Sequence, residues 1–102
     1  MNDIVHKCKI ILQKHYKERF KELVLYGSIA RDQADFSSDI DMLVLLTQPF
    51  DFFQELRTIC ELLYPVQLES EKLISVKPVL EKDYDEGKLQ LYRNAKRDGV
   101  AI

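Results

Sequence analysis

The run Met42-Leu43-Val44-Leu45-Leu46 is the longest unbroken apolar stretch in the 102-residue chain, and it constrains the fold more than any other feature. Five residues are too few for a helix, and the run is bounded by Asp39-Ile40-Asp41 before it and Thr47-Gln48-Pro49 after it. A strand turns successive side chains to opposite faces, so a strand that is apolar at every position must be covered on both. A chain carrying such a strand needs a sheet with helices packed against it.

The flanking sequence supplies those helices. Residues 2–20 place Ile4, Cys8, Ile11, Leu12 and Tyr16 at helical spacing among lysines and glutamines, which predicts an amphipathic helix. Leu23-Val24-Leu25-Tyr26, closed by Gly27, predicts a short buried strand, and Ser28 to Arg31 one or two helical turns. Pro49 suits the first turn of a second helix, with Phe53, Leu56, Ile59, Cys60 and Leu63 as its core stripe and Pro65 helping to stop it. Leu73 to Val79 predicts a third strand, with Pro78 placing it at an edge or bulge. Residues 81–98 predict a final helix ended by Gly99, with Val100-Ala101-Ile102 as a last short strand. The expected fold class is α/β, a small mixed sheet with helices packed on it, in a single domain spanning residues 1–102.

Charge and composition narrow the function. Fifteen basic against 17 acidic residues leave a net charge of −2, so no global field favours nucleic acid. Three glycines, three prolines and no low-complexity run argue against disorder. Cys8 and Cys60 fall in apolar helical patterns without a second ligand at zinc spacing, which predicts two buried reduced thiols. No stretch reaches the roughly 18 apolar residues of a membrane span and no signal-peptide core is present, so a cytoplasmic protein is expected.

The chemistry is concentrated in 26-YGSIARDQADFSSDIDML-43. Gly27 ends a strand and Ser28 begins a helix. Unpaired N–H groups and the dipole at a helix start favour an anion, glycine lets the backbone approach it, and serine adds a hydroxyl donor. Asp39 and Asp41 are two apart on a strand and so project together, with Ile40 turned to the core. Two adjacent carboxylates repel unless a cation lies between them, and Mg²⁺ is typically held by one or two carboxylates together with substrate phosphates. A phosphate-binding turn and a cation-binding pair at one end of a sheet form a site for a nucleoside triphosphate.

Gly27-Ser28, ten residues, then Asp39-Ile40-Asp41 resembles the GSx10DxD signature of the minimal nucleotidyltransferases, in the DNA polymerase beta superfamily. The longer form GSxAR…SDIDxLV is matched by Gly27 to Arg31 and Ser38 to Val44, and Leu91 to Val100 resembles the tail of the bacterial single-domain subset, so the resemblance spans nearly the whole chain. It implies the polymerase beta-like fold and a transfer in which a hydroxyl attacks the α-phosphorus of ATP and pyrophosphate leaves. Asp39 and Asp41 are then the catalytic, metal-holding pair for one or two Mg²⁺, and Gly27, Ser28, Arg31 and Ser38 the phosphate-binding set. Many proteins of this MNT type are encoded beside a HEPN-domain partner and act as its antitoxin, some by transferring AMP to a tyrosine of the toxin. Such a partner is therefore expected, with a homo-oligomer as an option and with no membrane or direct nucleic-acid contact. No substrate-selecting second domain is expected within these 102 residues.

The chain also departs from that pattern. Asp32 stands where glycine is common. On the third strand, where active members carry a third carboxylate, the alignment places Ser75, with Lys77 on the same face. Glu69 and Glu71 share Ser75's parity and are possible substitutes if the strand extends back to them. Two readings follow: an enzyme that modifies a partner protein, or a nucleotide-binding module that neutralises its partner by contact.

Overall fold

The computed structural model describes residues 2–27 and 39–102. Its elements are α1 (Asn2–Tyr16), a 3-10 turn (Lys17–Arg19), β1 (Phe20–Tyr26), β2 (Ile40–Leu46), α2 (Phe52–Glu69), β3 (Ile74–Leu80), α3 (Glu81–Asp85), α4 (Gln90–Asp98) and β4 (Val100–Ala101). The predicted helix at 28–31 and the loop at 35–38 lie outside the described residues.

The strands form one mixed sheet in the order β3-β2-β1-β4. β1 runs antiparallel to β2 and to β4, while β2 and β3 are parallel, joined by the α2 crossover. The run that predicts a doubly covered strand is the second strand in from the β3 edge, and Met42 to Leu46 are all buried. Ile40, Met42, Val44 and Leu46 pack with Val5, Cys8, Leu12 and Tyr16 of α1 and Ile59, Leu63 and Val66 of α2. Leu43 and Leu45 turn to the opposite face, where they meet Val24, Val79, Tyr84 of α3 and Ala95 of α4. Each of these large side chains contributes roughly 1.5–3 kcal/mol by leaving water, so sheet and helices stabilise each other.

Several predicted details are corrected. The first helix ends at Tyr16 and β1 starts at Phe20, earlier than Leu23. Pro49 precedes the second helix; Asp51 caps it by accepting from the Gln54 N–H at 3.1 Å. The core stripe of α2 is Glu55, Ile59, Leu63 and Val66, so Phe53 is 77% exposed and Cys60 is exposed as well. Pro65 sits inside α2, which continues to Glu69. Beyond Pro65, Val66 is buried and Gln67 donates to the Lys72 carbonyl and accepts from the Ile74 N–H, contacts that carry the helix past the missing donor. The final helix is split into α3 and α4 by the turn at Gly87, whose φ of 65° favours glycine.

The end of the sheet away from Gly27 is closed by a polar cluster that the hydrophobic pattern does not announce. The Glu55 carboxylate accepts from Tyr16 Oη at 3.0 Å and pairs with Arg19 at 2.7 Å, and Arg19 also donates to the Thr47 and Pro49 carbonyls. These partners keep a carboxylate that is only 7% exposed from being an uncompensated buried charge.

Candidate active site

Antiparallel pairing of β1 with β2 sets Tyr26 directly opposite Asp41. Parallel pairing of β2 with β3 sets Asp41 opposite Ser75. Directly paired residues share a face, so Tyr26, Asp41 and Ser75 form one row across three strands. Two residues further along β3, Lys77 is paired with Leu43 and lies on that same face. This is the face covered by α3 and α4, to which Leu43 and Leu45 also turn.

Gly27 follows Tyr26 at the row's end. Its φ is +83°, a conformation that side chains rarely adopt. A Cβ built there would stand 2.9 Å from Asp41 Oδ2, so the missing side chain leaves space for the carboxylate itself. The turn and the aspartate are therefore in contact, although 13 residues lie between them in the chain.

Asp39 immediately precedes β2 and is exposed, while Asp41 is half-buried. Burial, and then the neighbouring Asp39 charge, hold the Asp41 carboxyl above the usual carboxylate range, and Lys77 pulls it back down. Neighbouring carboxylate oxygens are the kind of donor a hard divalent cation such as Mg²⁺ takes. Burial and the Asp41 charge likewise push the Tyr26 phenol up. Among the described residues, no group of three or more His, Cys, Asp or Glu side chains is arranged to hold a metal.

The other site candidates divide. Ser75 lies directly opposite Asp41 on β3. Glu69 does not join it: β3 begins at Ile74, and Glu69 is the last residue of α2, on the opposite face of the sheet, where it pairs with Lys7 at 2.9 Å. Glu71 is exposed in the bend between α2 and β3, so the parity that links it to Ser75 is not carried by a strand. Ser28, Arg31 and Ser38 lie outside the described residues.

One wall was not foreseen. Leu91, Asn94, Ala95 and Asp98 fall on one face of α4 and, with Tyr26 and Gly27, line an open cavity of about 210 Å³. Their i, i+3, i+4, i+7 spacing is the signal that identifies this face. Gly99 locks α4 in place. A Cβ there would collide with the Ala95 carbonyl oxygen and stand 2.9 Å from Val24 Cγ1, and β4 then pairs with Val24 and Leu25.

Comparison with known proteins bears on the family and the fold. Residues 6–99 match the model of the family described as polymerase beta, nucleotidyltransferase. A Methanocaldococcus jannaschii protein named as a putative protein adenylyltransferase is 37% identical over 70 residues, which cover 65% of this chain and 70% of that one. A crystal structure titled as a putative nucleotidyltransferase from Sulfolobus solfataricus superposes with a TM-score of 0.62 at 18% identity, over 99% of this chain and 78% of that one, and so shares the fold. With the family match spanning nearly its whole length, the chain belongs to the polymerase beta nucleotidyltransferase family.

Proposed function

We propose that the protein transfers AMP from ATP, with Mg²⁺, to a hydroxyl of a partner protein, as antitoxin to a HEPN-domain toxin in the cytoplasm. The observation that carries the nucleotide site is the contact between Gly27 and the Asp41 carboxylate, which brings the two halves of the motif together. The protein acceptor is supported by the name of the Methanocaldococcus relative and by the MNT resemblance.

In this reading Asp39 and Asp41 hold Mg²⁺, which supplies charge neutralisation at the triphosphate when bound. Gly27, Ser28, Arg31 and Ser38 bind phosphate oxygens, the glycine by admitting them close to the backbone. The rigidity of β2 keeps Asp41 at a fixed angle to that turn, so the chain's contribution is chiefly positioning and electrostatics. A second reading, neutralisation of the partner by binding alone, is favoured by one feature: Ser75, not a carboxylate, faces Asp41.

Incubation with α-labelled ATP, Mg²⁺ and the product of the adjacent gene separates the two. Transfer predicts label on the partner, and its loss in the Asp39→Ala/Asp41→Ala variant. A partner that is neutralised yet stays unlabelled overturns transfer in favour of binding.

A further inference from the structure

We infer that the outer face of α2 packs against the same face of a second copy of this chain, antiparallel, in a weak two-fold dimer. The surface lies on the α1 side of the sheet, away from the face of Asp41, so the inference is independent of the nucleotide-binding reading.

α2 is apolar on two sides. Ile59 and Val66 face the core, while Phe53, Cys60, Tyr64 and Leu68 recur at helical spacing on the other side. There Phe53 is 77% exposed, Tyr64 61% and Leu68 69%. A helix with apolar stripes on opposite sides is suited to being covered on both. Cys60 and Tyr64 also line an open cavity of about 210 Å³ that reaches Ile74 and Val76 of β3. The β3 edge beside it is closed to an added strand, because the Ile74 N–H donates to Gln67 Oε1 at 2.8 Å and Pro78 has no N–H to give. Side chains projecting from a helix, rather than a strand, fit this face.

The charges on the stripe point to a second copy as the occupant. Arg57 and Glu61 stand together on one flank of it, both exposed, and among the described residues neither has an ion-pair partner. Their order, cation four residues before anion, is the weaker one within a single helix. An antiparallel copy with its two-fold axis level with Ile59 sets Arg57 against the copy's Glu61 and Glu61 against the copy's Arg57, so one surface completes both pairs. The same axis brings each Phe53 level with Tyr64 and Pro65 of the other copy, beside the cavity, and sets the two Cys60 side chains near each other. Phe52, Phe53, Tyr64 and Leu68 offer roughly 400 Å² of side-chain surface per copy, about half that of a standard interface, so the association is weak. Where the single chain predominates, at low concentration, Cys60 stays open.

Sedimentation equilibrium of the full chain, without nucleotide, tests the pairing. A monomer–dimer equilibrium with a dissociation constant on the order of 10–100 µM is expected. Arg57→Glu or Glu61→Arg alone sets like charges together twice per dimer and should weaken association about tenfold. The double exchange Arg57→Glu/Glu61→Arg restores opposite charges and should restore the dimer. At dimer-forming concentrations a short bismaleimide should join two chains through Cys60, and should join none in Cys60→Ser. A single chain at every concentration overturns the inference and leaves the stripe to a different protein. A dimer that is indifferent to both single substitutions, or that the double exchange fails to rescue although circular dichroism shows a native fold, overturns the pairing through α2.

Discussion

Gly27 carries two requirements at once, a backbone φ of +83° and a side-chain position 2.9 Å from Asp41 Oδ2. Alanine meets neither. Forcing a Cβ into left-handed backbone costs about 1–2 kcal/mol, which a fold of this size survives, but the added methyl also displaces the Asp41 carboxylate. Gly27→Ala is therefore expected to stay folded by thermal denaturation while its affinity for Mg-ATP, read by calorimetry, falls at least tenfold. Unchanged affinity would show that the contact with Asp41 does not matter to binding. At this scale the sequence is informative in part. That Gly27 ends a strand and that Asp41 begins one are both readable from apolar runs. Their contact is not, because it depends on which strands pair and in what register, and nothing local in Tyr26-Gly27 or Asp41-Met42 encodes that register.

Among the elements, β2 was legible because its apolar run is unbroken, and its double cover could be named from Met42 to Leu46 alone, whereas the start of β1 was hidden by Lys21 and Glu22. The phase of α2 was not. Its apolar residues, Phe52, Phe53, Leu56, Ile59, Cys60, Leu62, Leu63, Tyr64, Val66 and Leu68, surround much of the helix, so more than one stripe fits the period. The stripe that wins includes Glu55, since its carboxylate is satisfied by Tyr16 and Arg19, partners found only in three dimensions. Pro65 misled for a related reason: local propensity stops a helix there, and the Gln67 and Val66 contacts override it. An interior proline still removes one helical hydrogen bond and crowds the preceding turn, at about 3 kcal/mol, offset by up to about 1 kcal/mol from the stiffer unfolded chain. Pro65 is exposed, so alanine leaves no cavity. Pro65→Ala should therefore stabilise the protein by roughly 2 kcal/mol in urea denaturation, with the Lys72 and Ile74 contacts of Gln67 retained. A loss of stability would show that the proline shapes the end of α2 rather than merely being tolerated there.

For the whole molecule, the two cysteines make a test of how the core was read. Both were expected to be buried. Cys8 is fully buried against the α1 face of the sheet, while Cys60 is exposed on α2. Burial pushes the Cys8 thiol up from 9.0 to about 11, and it pushes Tyr16 up too, with help from the Glu55 carboxylate that accepts from its hydroxyl. In both cases the folded chain holds the proton more tightly than the unfolded one. Their contribution to stability is thus complete below the unfolded pKa and is lost as pH rises through the folded value. For Cys8 that window runs from about 9 to about 11, and a shift of this size corresponds to roughly 2–3 kcal/mol. Unfolding free energy measured by urea titration should fall across that window, and less steeply in Cys8→Ala, which carries no thiol to ionise. The difference in slope is the diagnostic quantity, because the alanine variant also loses packing at every pH. A thiol reagent at pH 8 should meanwhile modify one cysteine in the folded protein and two in urea. Parallel pH profiles for the two chains would show that Cys8 does not keep its proton through folding, and with it that the α1 face of the sheet is less closed to water than its packing implies.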